Sequence, residues 1–109
     1  MDKFGLSAKV IQQIQGIFEL HPHVEKVIIY GSRAKGNYKP SSDIDLVIQG
    51  EKVDFTELLR IENELDDLLL PYQIDLSTFH FIQSSQDLLA HINRIGKTFF
   101  KKKTNPVNP

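Results

Sequence analysis

Hydrophobic positions recur along this chain at two periods. Leu6, Val10, Ile11, Ile14, Ile17 and Phe18 follow the spacing of one helix face, with Ser7 placed to cap the first turn and Leu6 and Ile11 spaced as a hydrophobic staple. His21-Pro22-His23 ends that helix. Two β-branched runs, 24–30 and 43–49, predict strands. Helical spacing returns over 53–69 through Leu58, Ile61, Leu65 and Leu68, where Asp54 and Glu57 are spaced as a capping box and Val53 and Leu58 as its staple. Pro71 closes it. A third strand is predicted over 72–79 and a last helix over 84–95, with Ser84 as its cap and Gly96 just past its end.

This order of elements predicts an α/β fold, a small mixed sheet of about three or four strands packed with helices. A length of 109 residues suits one domain with a single modest core, expected over residues 1–100, followed by a flexible basic tail, KKKTNPVNP, at 101–109. Phe99 and Phe100 are expected to tuck the end of the domain against the core. The formal net charge is -1, so no global basic field points to nucleic acid, and any partner must be recognised locally. The absence of cysteine removes disulfide frameworks and thiolate metal sites. No apolar run suggests a signal peptide or a membrane span, and a cytoplasmic protein is the expectation.

One strand is chemically expensive. Ile44, Leu46 and Ile48 share one face of the 43–49 run, which leaves Asp43 and Asp45 together on the other. Two carboxylates about 5 Å apart repel by about 3 kcal/mol at an effective dielectric of about 20. Exposure, protonation of one acid or a bound cation could relieve this.

The residues before the pair favour the cation. Gly31 and Ser32 follow a strand directly, with Arg33, Lys35 and Lys39 close behind, a composition suited to holding anions near an anionic pair. Gly31 permits a positive φ or a close backbone approach, and the Ser32 hydroxyl and neighbouring amides can bind phosphate oxygens. The run is not a Walker loop, because Asn37 and Tyr38 follow Gly36 where lysine and a hydroxyl residue are needed. It contains no GxGxxG either, which disfavours a dinucleotide fold.

Gly31-Ser32, ten intervening residues and then Asp43-Ile44-Asp45-Leu46 resemble the signature of the DNA polymerase beta-like nucleotidyltransferase superfamily, and the short chain resembles its minimal nucleotidyltransferases. The resemblance implies that Gly31 and Ser32 hold a nucleotide's phosphates and that Asp43 and Asp45 bind magnesium, two ions in all. It also implies a third acid on a later strand. Among Asp54, Asp66, Asp67, Asp75 and Asp87, only Asp75 sits mid-strand, between Ile74 and Leu76. The expected catalytic and metal-binding set is therefore Asp43, Asp45 and Asp75, with Arg33 or Lys35 assisting the phosphates.

The chain is too short for an acceptor pocket of its own, so the acceptor is expected from outside. Minimal nucleotidyltransferases commonly act as antitoxins that transfer AMP from ATP to a tyrosine of a HEPN-domain ribonuclease toxin, and the resemblance implies that partner here. The alternatives are a module that neutralises its partner by contact alone and an RNA-modifying transferase. His21 and His23 flank Pro22 in a turn, and His80 and His91 have no close partner in sequence, so the histidines are not expected to form a metal site.

Overall fold

The two β-branched runs form an antiparallel pair. β1, Lys26–Tyr30, runs against β2, Ile44–Gln49, with Ile29 opposite Leu46 and Tyr30 opposite Asp45. β3, Ile74–Thr78, lies parallel to β2, and β4, Lys97–Lys101, lies antiparallel to β1, which gives a mixed sheet in the order β3-β2-β1-β4. The helices are α1, Ala8–Glu19; a five-residue α2, Gly31–Lys35, which follows β1 without a break; α3, Phe55–Asp66; and α4, Gln86–Ile95. α3 supplies the crossover that a parallel β2 and β3 require. This computed structural model describes residues 3–102. Among them no helix is long and apolar enough to cross a membrane.

The main core forms where Ile14 and Phe18 of α1 and Leu58, Ile61 and Leu65 of α3 meet Val27, Ile29, Ile44, Leu46 and Ile48 of the sheet, all buried. Because strand side chains alternate, seating Ile44 and Leu46 in this core turns Asp45 to the other face. There α4 packs on β1 and α2, with Ile92 buried.

Two of the three anticipated caps form. Ser7 Oγ accepts from Val10 N at 3.2 Å, and Asp54 Oδ1 accepts from Glu57 N at 2.8 Å. The capping box is only half made, because the Glu57 carboxylate turns to the histidines instead. Its two oxygens lie 3.0 Å from His21 Nδ1 and 2.9 Å from His23 Nδ1, while His21 Nε2 lies 2.7 Å from Glu64 Oε1. The turn between α1 and β1 is thereby tied to α3.

β4 was not expected as a strand. KTFFK does not alternate, and both phenylalanines are buried. The register explains this: Val27 pairs with Phe100 but Ile28 with Thr98, so Phe99 is the extra residue of a β-bulge. The bulge lets adjacent side chains join one core, Phe100 against Phe18 at 5.8 Å between ring centroids and Phe99 against Phe4 at 6.2 Å. Lys101 closes β4, and Lys102 donates its backbone amide to Glu25 O at 3.0 Å and Nζ to His21 O at 2.7 Å. The expected tail is thus held at its first two residues, and 103–109 lie outside the described residues. β2 begins one residue later than the pattern suggests, and Ser85 rather than Ser84 precedes α4.

Burial alone would raise the Glu57 pKa, but hydrogen bonds from His23 and His21 outweigh it and hold the carboxyl below its ordinary value. A depressed carboxylate contributes stability that is present above its unfolded value and lost as pH falls through the folded one. Glu57→Gln should therefore destabilise the domain by about 1 kcal/mol at pH 6 in urea unfolding. The gap between variant and parent should narrow only as pH falls below the ordinary glutamate value, as the parent's own carboxyl takes up its proton.

Candidate active site

Strand register brings together acids that lie thirty residues apart in the chain. Tyr30 pairs with Asp45, and Asp45 pairs with Asp75, so the three stand in a row across β1, β2 and β3 on the face away from Ile44 and Leu46. Asp75 is exposed on the edge strand, and Asp43, just ahead of β2, is exposed as well. Partial burial pushes the Asp45 carboxyl up to about 6, with repulsion from Asp75 and then Asp43 adding to it. Burial, followed by Asp45 and Asp75, pushes the Tyr30 phenol up to about 12, so it keeps its proton. Tyr30 was not anticipated as a site residue. Its parity in β1, opposite to Val27 and Ile29, was the available signal, but only pairing with β2 gives that parity meaning.

Gly31 opens α2 at φ +72°, and a Cβ added there would collide with Asp45 Oδ2. Conformation and space both require glycine, since a side chain would be strained and would displace the carboxylate. Ser32 follows in the first turn of α2, half-buried, and Gly36 ends the helix at φ +99°, its amide donating to Ser32 O at 2.8 Å. Lys35 is exposed in the last turn.

Arg33 does not take the expected place beside phosphates. It is 2% exposed, and its guanidinium is committed to backbone carbonyls. Nε donates to Ser42 O at 3.1 Å, Nη2 to Ser42 O at 2.9 Å and to Pro40 O at 3.1 Å, and Nη1 to Phe4 O at 3.0 Å. The Tyr38 and Tyr72 rings lie 5.4 and 5.0 Å from it. With four of its five N–H donors on backbone carbonyls and both rings beside it, the guanidinium is engaged in bracing the loop.

His91 of α4 enters the site unannounced. Its Nε2 accepts from Gly31 N at 3.2 Å, and its ring meets Tyr30 edge-on at 6.1 Å. Its sixty-residue separation from Gly31 left no signal in the sequence.

The oxygen donors of Asp43, Asp45 and Asp75 are of the type magnesium takes, and a cation beside Asp45 would oppose both the burial and the neighbouring acids that raise its carboxyl. Among the described residues no three His, Asp or Glu side chains stand in metal-holding geometry, so the donor chemistry suits the ion while the side chains would still have to turn toward a shared point. Two cavities, about 540 Å³ beside Glu62, Asp66 and Tyr72 and about 500 Å³ beside Glu25, Gln49 and His80, include none of the acids or Gly31 and Ser32. Asp43 and Asp75 are exposed on the face of the sheet away from the main core.

Residues 12–105 match the family described as Polymerase beta, Nucleotidyltransferase. A Methanocaldococcus jannaschii protein named as a protein adenylyltransferase is 32% identical over 84 residues, covering 70% of this chain and 85% of its own length. A chain of a toxin-antitoxin crystal structure with AMP-PNP has a TM-score of 0.64 at 19% identity, over 85% of this chain and 74% of that one. A chain from tri-AMPylated Shewanella oneidensis HEPN toxin in complex with MNT antitoxin has a TM-score of 0.53 at 18% identity, over 86% and 68%. These two likenesses bear on the fold.

The Asp45 carboxyl, raised from 3.8 to about 6, holds its proton more tightly in the folded chain than in the unfolded one, so the stability it contributes is present below pH 4 and lost as pH rises through 6. Asp45→Asn removes that loss. In chelator, its melting temperature should exceed the parent's by about 4–8 °C at pH 7.5, which corresponds to about 1 kcal/mol once partial exposure is discounted, and should match it at pH 4. Thermal unfolding followed by circular dichroism checks this.

Proposed function

We propose that this chain, which belongs to the Polymerase beta nucleotidyltransferase family, is an antitoxin that transfers AMP from ATP to a tyrosine hydroxyl of a separate HEPN-type toxin. The observation that carries the reading is the placement of Asp45 between Asp75 and a left-handed Gly31, which sets acidic oxygens directly against a loop suited to phosphate. The adenylyltransferase name of the archaeal relative supports the reaction, and the toxin-antitoxin complexes among the structural neighbours support the partner.

Ser32 would hold the triphosphate through its hydroxyl and amide, with Gly31 allowing the close approach and the exposed Lys35 swinging toward the phosphates. Asp43, Asp45 and Asp75 would hold magnesium, which when bound supplies charge neutralisation at the triphosphate and activation of the attacking hydroxyl. Asp75, exposed on the edge strand, would accept the proton as the tyrosine oxygen forms its bond to the α-phosphorus and the bond to the β-phosphate breaks, releasing pyrophosphate. The partner supplies the tyrosine and completes the site, which needs its hydroxyl about 3–3.5 Å from phosphorus over the face that carries Asp75.

Incubated with a HEPN-type toxin, ATP and magnesium chloride, the chain should add whole AMP units to the toxin by intact-mass spectrometry, mapping to tyrosine. Asp43→Asn combined with Asp45→Asn should reduce that addition to background while circular dichroism shows a folded domain. A doubly substituted protein that neutralises the toxin as fully as the parent would mean that contact alone suffices, and the enzymatic reading would fall.

A further inference from the structure

The junction between β1 and α2 is fastened from a distance. Gly31 N donates to Nε2 of His91, in the middle of α4, and the imidazole also packs edge-on against Tyr30. Because Nε2 accepts, the neutral ring carries its hydrogen on Nδ1. No step of the proposed transfer uses this side chain.

Glycine permits φ +72° at position 31 without enforcing it, since it visits positive and negative φ about equally. Neither neighbour enforces it. The Asp45 carboxylate beside Gly31 is an acceptor and offers no hydrogen bond to the Gly31 carbonyl, and Tyr30, which precedes α2, makes no side-chain cap bond. His91 supplies what is missing, an acceptor for the first amide of α2. An imidazole suits the place for an electrostatic reason, because it accepts without charge. A carboxylate at position 91 would accept equally well but add negative charge beside Asp45 and any phosphate.

We propose that His91 is a positioning residue of the nucleotide loop, holding the Gly31 amide in the left-handed conformation from which Ser32 reaches the phosphates. This rests on the phosphate role proposed for Gly31 and Ser32. An ordered loop binds its ligand without first giving up glycine's conformational freedom, so the contribution belongs to ATP affinity and not to the chemical step.

Two variants and one spectrum test the inference. His91→Phe keeps the ring against Tyr30 and removes the acceptor; His91→Gln keeps an acceptor through its amide oxygen. With ATP and magnesium chloride, the phenylalanine variant should raise the dissociation constant and KM for ATP about fivefold to tenfold, the factor carried by one ordinary hydrogen bond. It should leave kcat within about twofold and lower the melting temperature by no more than about 4–8 °C, the shift that one lost hydrogen bond carries, and the glutamine variant should recover most of the affinity. In the parent, a long-range nitrogen-proton spectrum of the histidine rings should show His91 with its hydrogen on Nδ1, and the coupling between Gly31 N and His91 Nε2 should persist when ATP binds. Affinity in the phenylalanine variant equal to or tighter than the parent's, no rescue by glutamine, or loss of the coupling on ATP binding would each overturn the inference; the last would make the imidazole a stand-in that phosphate displaces. A parent that binds ATP with indifferent His91 variants sinks this inference alone, whereas a parent that does not bind ATP removes the proposed function and this inference with it.

Discussion

Keeping an ionised Asp45 partly buried, with Asp75 in register beside it and Asp43 two residues away, costs the fold stability, and much of the structure acts to hold it there. The cost follows from strand alternation. Ile44, Leu46 and Ile48 anchor β2 in the core, and a slip of one residue would bury Asp45 and expose the isoleucines. The hydrophobic side of β2 thus fixes the position of its acidic side. Parallel pairing with β3 then places Asp75 beside Asp45, which is possible only because α3 carries the chain back across the sheet.

The other half of the site depends on a buried cation. Arg33 lies two residues after Gly31 and grips Ser42 O, one residue before Asp43, so its guanidinium closes the long loop between the glycine-serine pair and the acids. A further bond to Phe4 O ties that loop to the N-terminal turn. A buried arginine is costly unless its donors find partners, and here four bonds to three carbonyls engage four of its five N–H groups. α4 adds the second restraint at the Gly31 end through His91.

What the sequence disclosed and what it withheld divide along physical lines. The helix caps at Ser7 and Asp54 and the turning of Asp45 away from Ile44 and Leu46 are local or follow from period-two alternation, and such features are legible. β4 was hidden because its bulge breaks the alternation a strand is recognised by. Arg33 was misassigned because a basic residue beside a phosphate loop reads the same whether its guanidinium faces solvent or three backbone carbonyls. Tyr30 and His91 belong to the site only through pairing and helix docking, and neither leaves a mark on the residues nearby in sequence.

The proposed function requires Gly31, Ser32 and the acids to bind nucleotide and cation together in one site. Bare triphosphate should be repelled by Asp43, Asp45 and Asp75, and the same three carboxylates should attract it once magnesium lies between. Calorimetric titration of ATP into the parent, once with magnesium chloride and once with chelator, tests this most directly. The account predicts affinity at least about tenfold tighter with magnesium, a difference of about 1.4 kcal/mol, most of which Asp43→Asn should erase. Equal affinity with magnesium and with chelator would contradict it.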